Sequence, residues 1–591
     1  MIMNSFDFKD VKLNDGLFKT VLDETMDFYL SIPNDNILKY MRESAGRPAP
    51  GIHYTGWFPN SRGIALIGQW LSAFSRMYAI SADTSFKEKA LYLSSEFWNC
   101  YQDALEHDPF FTDHSHYDIE KLLKAQCDLY VYCNLSSAKE HALLLVDFAD
   151  QHLTSDNLFG NNFTEWYTLP ESFLDVWKIW GIEKAKELAE RFEYREFWDI
   201  FYQDADPFSK RPQAGFYSEY CHAYSHVNSF NSCAKCYETI RDPYYLKALR
   251  SFYQFMQKEE VMATGGYGPN FEHLMPKYRI IDALRTGHDS FETQCDSYAA
   301  YRLIKYMTLF TGEAQYGNWA ESLLYNATAA TIPMTEDGKV IYYSDYNMYG
   351  AKKINRAEGW TCCTGTRPLL VTEMQRLIYF EDQDGLYVSQ FIPSTLHWKS
   401  PDYDVTITQT TDFPRENFSQ ITLNLTGPCT FNIHFRMPGW LAGSMTVSLN
   451  GRPLETSVTS NGWLTVGAMW RDKDTLTIAL PQNVWMHSFD PVKKGPNAFL
   501  HGPVVLAADY SGIQTPNDHM NIRSLIPKMR PVEGNPLHYT VDGIDTISFR
   551  PFYEWKENER YFLYHDTTAH AGKVTVPNHN RDPKPGTLKL S

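Results

Sequence analysis

No stretch of this chain is apolar for the roughly 18–20 residues that a bilayer crossing needs, and no run of lysine and arginine marks it for a phosphate backbone. Acidic residues outnumber basic ones, 71 Asp and Glu against 54 Lys and Arg, for a formal charge of -17. No nucleic acid and no membrane is therefore expected as a partner. Cysteine is scarce: ten in 591 residues are too few for a disulfide framework. The opening residues, MIMNSFDFKD, lack a basic stretch followed by an apolar one, so no secretory leader is read there and the cytoplasm is the expected location. Disorder and collagen are excluded by composition, with 43% hydrophobic and 21% charged residues. Aromatic residues, at 15%, are what the chain has in plenty. Tyr and Trp join a flat apolar body to a polar handle, which suits sugar faces, although composition alone favours a large aromatic core.

The chain changes character near residue 385. Before it, apolar residues recur at steps of three and four, as in Leu246, Leu249, Phe252 and Met256, the spacing of one helix face. About twelve such segments are read, near 16–32, 63–80, 85–106, 116–134, 136–152, 170–181, 183–203, 222–238, 243–258, 290–310, 313–329 and 364–379. Three hinges share an acidic residue (Asp83, Asp242, Glu313) followed three positions later by an aromatic (Phe86, Tyr245, Tyr316), and the acid is expected to cap the next helix. Six helical hairpins need neighbours to bury their faces and fit a closed (α/α)6 barrel. After residue 385 the period drops to two, in Ile421, Leu423, Leu425 and Phe431, Ile433, Phe435, with turns at Asn450-Gly451 and Asn461-Gly462. The fold expected is mainly α with β: a segment 1–15 giving a strand to a sandwich, an (α/α)6 barrel catalytic domain over 16–384, a β-sandwich over 385–490 and a β-rich domain over 491–591.

Four places carry candidate chemistry. The loop from Thr264 to His273, TGGYGPNFEH, has three glycines that permit positive φ or close backbone approach, and ends on Glu272, a candidate acid/base. Glu292 and Cys295 stand at i and i+3 at a helix start, on one face. Cys362-Cys363 follow Trp360-Thr361 just before another helix, and adjacent cysteines do not readily form a disulfide. Cysteines with a carboxylate would suit a tetrahedral zinc, which keeps sulfur as thiolate; three unrelated buried thiols are the plainer alternative. The fourth place, His222, His226, Cys233 and Cys236, is rejected as a metal quartet. His226 and Cys233 are about 10.5 Å apart along one helix, too far for ligands about 2 Å from one ion.

These motifs, in their shared order, resemble the β-L-arabinofuranosidase family, glycoside hydrolase family 127 and its relatives. The resemblance spans nearly the whole chain: Tyr54-Thr55-Gly56-Trp57, Arg62-Gly63, His222-Ala223, Thr264-Gly265-Gly266, Cys362-Cys363, Asp384-Gly385-Leu386-Tyr387-Val388, and Phe435-Arg436-Met437-Pro438-Gly439-Trp440. It implies an (α/α)6 barrel with β-sandwiches behind it and a retaining, exo-acting cysteine glycosidase, outside the usual two-carboxylate arrangement. It also implies Cys362 as nucleophile, Glu272 as acid/base, and zinc held by Cys295, Cys362, Cys363 and a glutamate, with Glu292 the candidate. His114, His222, Asp345 and Asn347 fall near the family's sugar contacts. An oligosaccharide or glycoside is the implied substrate, and a homodimer is allowed. The chain departs from the family where Thr293, not a glutamate, stands two residues before Cys295. It departs again in Thr364-Gly365-Thr366 after the cysteine pair, and in a shorter loop between Gly268 and Glu272. Two other readings stay open: a polysaccharide lyase using His114, His116 and Tyr117, and a carbohydrate-binding relative without catalysis.

Overall fold

The computed structural model describes residues 3–105, 115–155, 165–209, 221–356, 359–399, 404–492, 495–510 and 524–565. Among them, six helices pack in a closed ring: Ile64–Ser81, Ser115–Cys133, Leu169–Trp180, Ala223–Ile240, Gln294–Thr311 and Cys362–Glu373, the last returning to the first. Each is backed by an outer helix, in turn Thr84–Leu105, Ala138–His152, Glu183–Arg191, Pro243–Phe255, Tyr316–Leu323 and Leu17–Ser31. Every ring helix is separated from the next by a returning outer one. All six therefore run the same way, with their N-termini at one mouth and their C-termini at the other.

The twelve periodic segments all contain helix, with local differences. The segment 183–203 breaks at Tyr194 into Glu183–Arg191 and Arg195–Tyr202. Helices Asn34–Ser44 and Lys277–Thr286 were not anticipated, and both begin directly after a proline, Pro33 and Pro276. Two of the three acidic hinges cap as expected: Asp83 accepts from the Ser85 amide and Asp242 from the Tyr244 amide, both at 2.9 Å. Glu313 does not. Its longer side chain reaches out to Arg250 at 2.7 Å.

Beyond the ring the residues alternate, as a half-buried strand requires. Phe418–Leu425 buries Ile421, Leu423 and Leu425 in strict alternation. Its seven-stranded sheet runs, in spatial order, Arg452–Pro453, Thr446–Leu449, Thr475–Ala479, Phe418–Leu425, Asp404–Thr410, Ser394–Lys399 and Val11–Leu13. A six-stranded sheet runs Asn4–Ser5, Tyr379–Glu381, Gly385–Val388, Cys429–Arg436, Trp463–Trp470 and Ser457–Val458. The N-terminal segment thus gives a short strand to each sheet rather than one strand to either. A third sheet of six strands occupies residues 484–551.

The sandwich is pinned to the ring by the arginine of the Phe435–Trp440 motif. Arg436 is fully buried and donates to Glu321 at 2.6 Å and Asn318 at 2.7 Å, while the Trp440 indole N–H donates to the other oxygen of Glu321 at 2.7 Å. Satisfying both carboxylate oxygens from one strand and its following turn fixes the two units in register. No helix among the described residues is long and apolar enough to cross a membrane.

Candidate active site

The chemistry-bearing residues gather at the mouth formed by the ring's N-termini. Cys362 and Cys363 are the first two residues of one ring helix and Cys295 the second of another. Helix N-termini carry partial positive charge and favour a thiolate. The Cys295 and Cys363 sulfurs are 3.7 Å apart, and all three sulfurs lie within 4.8 Å of one another, buried. Hydrogen bonds from Cys295 and Cys363 hold Cys362 well below the ordinary thiol range against the effect of burial, and Tyr342 and His222 add to this. Burial pushes the other two well up. The Tyr342 phenol oxygen lies 2.9 Å from the Cys362 sulfur.

Glu272 ends a stretch of three consecutive left-handed residues, Asn270, Phe271 and Glu272, with φ of 52°, 66° and 64°. Such conformations are uncommon for non-glycine residues and costly for a bulky one. The loop is held in this shape from outside: the Phe271 amide donates to the Ser290 carbonyl at 2.8 Å, and the Tyr267 hydroxyl to the Asp296 carbonyl at 2.7 Å. Gly268, at φ 74°, permits the turn because a Cβ there would meet Ala223 at 2.8 Å and Asp296 at 2.9 Å. The Glu272 carboxylate accepts from the Thr293 hydroxyl at 3.0 Å and lies 3.4 Å from His222 Nε2. His222 sits 3.6 Å from Glu165 on its other side. Burial lowers the His222 pKa, but Glu272, Glu165 and Cys362 together outweigh it and leave it raised. Glu165 is pushed up to about 7 by burial, with His222 and Lys121 opposing.

Cys295, Cys362, Cys363, Glu272 and His222, expected from sequence, are thus brought to one mouth. Glu292 is not among the ligating groups. Thr293 is in extended backbone and caps the helix together with Asp296, so the side chains of 292 and 293 point to opposite sides. Thr293 faces Glu272. Glu292 faces away, accepting from Thr264 at 3.0 Å beside Gly266, where a Cβ would fall 1.0 Å from its carboxylate. Asp345 and Asn347 are engaged inside the fold. The Asp345 carboxylate meets His288 at 3.0 Å and the Asn347 amide at 3.0 Å, while Asn347 donates to Gly287 at 2.7 Å and accepts from Tyr349 at 2.9 Å. Both tie the 343–350 loop to residues 285–288. His114 lies outside the described residues. His116 is buried on the Thr154 carbonyl at 2.9 Å and pushed down to about 4 by burial. The rejected quartet stays rejected: His226 bonds the His222 carbonyl at 2.8 Å, and the cysteine trio is the metal-competent group among the described residues. Tyr342, Glu165 and Thr293 were missed. Tyr342 and Tyr343, close before Asp345, carried an aromatic signal, whereas Glu165 carried none.

Zinc about 2.3 Å from each of several sulfurs in tetrahedral array sets them about 3.8 Å apart. The 3.7 Å Cys295–Cys363 spacing fits, and three thiols are a soft donor set suited to zinc. The three cysteines can therefore hold the ion, with no carboxylate in the group.

A ring of paired helices with a thiol and acid pocket at one mouth and β-sandwiches behind defines the class: a helical-barrel protein of the carbohydrate-active kind. The model of the β-L-arabinofuranosidase GH127 catalytic domain matches residues 10–376 and that of the GH127 middle domain residues 385–482, and the chain belongs to this glycoside hydrolase family. A curated relative, the non-reducing end β-L-arabinofuranosidase of Bifidobacterium longum subsp. longum, is 27% identical over 252 residues, 39% of this chain. The match spans 37% of that relative's length. Among solved structures, a GH127 β-arabinofuranosidase superposes with TM-score 0.74 at 16% identity, covering 96% of this chain and 98% of its own. A GH127 β-L-arabinofuranosidase from Geobacillus stearothermophilus T6 gives 0.70 at 15% identity, covering 94% and 99%.

Proposed function

We propose that this chain is a retaining, exo-acting glycoside hydrolase that releases a terminal L-arabinofuranose or a closely related sugar, with Cys362 as nucleophile and Glu272 as acid/base. Family membership and the name of the curated relative support the sugar and the terminal mode of attack. The observation that carries the catalytic assignment is the convergence of an activated sulfur and a strained, hydrogen-bonded carboxyl from stretches ninety residues apart. In the first step the Cys362 sulfur bonds to the anomeric carbon as the glycosidic C–O bond breaks, and Glu272 gives its proton to the departing oxygen. In the second, water attacks the same carbon, Glu272 takes its proton, and the C–S bond breaks to restore the thiolate. His222 and Thr293 hold the carboxylate through both proton transfers. Cys295, Cys362 and Cys363 would hold zinc, which supplies the positive charge that keeps sulfur deprotonated at neutral pH.

The test is mass spectrometry after incubation with an activated β-L-arabinofuranoside. A pentosyl adduct mapped to Cys362 supports the proposal. An unsaturated product supports the lyase reading, and turnover or adduct of neither kind supports a non-catalytic relative. Metal analysis of the purified protein, with sulfur–metal distances, tests the three-cysteine site separately.

A further inference from the structure

Beside the two candidate catalytic residues runs a continuous line of rings. Tyr342, 2.9 Å from the Cys362 sulfur, packs edge-on against Tyr343 with centroids 4.6 Å apart. Tyr343 in turn packs edge-on against Phe271 at 5.3 Å, and Phe271 is the residue directly before Glu272. Phe271 is 50% exposed and its neighbour Asn270 is exposed too, while Gly268, Pro269 and Glu272 on either side are buried. A lone exposed phenylalanine needs no explanation. This one is different, because its backbone is held at φ 66°, ψ 58°, a conformation that a bulky residue adopts only under constraint. The ring is nonetheless half-exposed, braced edge-on by Tyr343.

We infer that Phe271, supported by Tyr343, is the platform for the first sugar of the leaving group. The inference rests on Glu272 as acid/base. An acid that protonates the glycosidic oxygen must have the leaving group beside it, and the side chain one residue before it lies at that side of the mouth. A half-exposed aromatic ring offers the apolar surface on which the C–H face of a sugar ring packs. The substrate class follows: a glycoside whose leaving group is itself a sugar ring, in preference to one released as a small alcohol. Phe271 is a specificity residue, and its contribution falls on leaving-group departure alone, since the second step takes place after that sugar has left.

Methyl β-L-arabinofuranoside and a β-L-arabinofuranosyl disaccharide separate the two contributions. Phe271→Ala is expected to lower kcat/KM on the disaccharide about tenfold, equivalent to about 1.4 kcal/mol, and to leave the methyl glycoside within about twofold. Phe271→Tyr should restore the disaccharide rate and Phe271→Leu should not, with thermal melting confirming that each variant folds. An equal loss on both substrates would make Phe271 merely a support for Glu272, and wild-type rates on both would show that it touches nothing in the leaving group. Either result overturns the platform. If Glu272→Gln keeps wild-type activity on the disaccharide, the acid/base assignment itself fails, and the platform with it.

Discussion

The two mouths of the helical ring are built from the same six helices and differ in what their charges are for. At the C-terminal mouth the side chains neutralise one another around a cavity of about 250 Å³. Arg76 reaches Asp128 at 2.8 Å and Glu373 at 3.1 Å, Lys305 reaches Glu373 at 2.9 Å, Lys235 reaches Asp175 at 2.8 Å, and Arg302 pairs with Glu171. At the N-terminal mouth the groups disturb one another instead. One thiol is pushed down while its two neighbours are pushed up, two carboxyls flank one imidazole, and Glu272 is held at φ 64°. Buried pairs that cancel are structural, whereas unbalanced groups at a strained place are candidates for chemistry. Parallel helices reinforce the division, because their positive ends all face the thiols.

The largest effect that would sharpen this contrast is at the sulfur. Cys362→Ser should reduce turnover by at least about 10⁴-fold, the scale on which losing a nucleophile acts, while the melting temperature stays close to wild type. A serine variant that keeps even a tenth of wild-type kcat would move the nucleophile elsewhere. Glu272→Gln follows, with a loss of about 10²–10⁴-fold on an unactivated glycoside. Its first-step loss should shrink with a good leaving group such as a nitrophenolate, because departure then needs little protonation. Steady-state and burst kinetics on the two substrate types check this, and an equal loss on both would remove Glu272 from the acid role.

Reading the sequence reached the fold more easily than the site. Periodicity reports which face of an element is buried, so the helical segments and the alternation of Ile421 and Leu423 were visible along the chain. Motif residues such as Arg436 and Trp440 could be seen to recur together, but that they converge on Glu321 is a fact of packing between distant segments. The three cysteines were legible because few residue types do what thiols do. Glu292 was misread because spacing on a helix face assumes that the helix has already begun. It begins two residues later, at Gln294, and the extended residue between turns Glu292 away. Asp345 and Asn347 show the same limit: a polar side chain in a loop is as useful for holding the loop as for holding a ligand, and only the partners decide.

The opposite mouth offers the converse test. Glu373 answers both Arg76 and Lys305 within a buried lattice, so Glu373→Gln takes the carboxylate from Lys305 and leaves Arg76 with Asp128 alone. Removing one member of a buried pair typically costs about 3–5 kcal/mol. The expected result is a fall of that size in unfolding free energy by denaturant titration, with kcat per folded molecule unchanged. A variant as stable as wild type would show that water in the cavity already carries those charges. A fall in kcat without loss of stability would mean that the two mouths are coupled.

The smallest effect separates Glu292 from the ligating group by pH. Burial lifts its carboxyl to about 7 from an ordinary value of 4.5. Between those two values the folded protein keeps a proton that the unfolded chain has released. This group's contribution to stability is therefore fully present below the unfolded value, and falls as pH rises by about 1.4 kcal/mol per unit, about 3 kcal/mol in all by pH 8. Glu165, also lifted to about 7, and Asp118, lifted to about 8, act in the same direction, so the wild-type slope has several sources and the variant removes the Glu292 share alone. Glu292→Gln should flatten the decline in unfolding free energy between pH 5 and 7 without changing metal content, since the amide still accepts from Thr264. If the substitution leaves the slope intact and instead strips metal from the three cysteines, Glu292 belongs with the sulfurs after all.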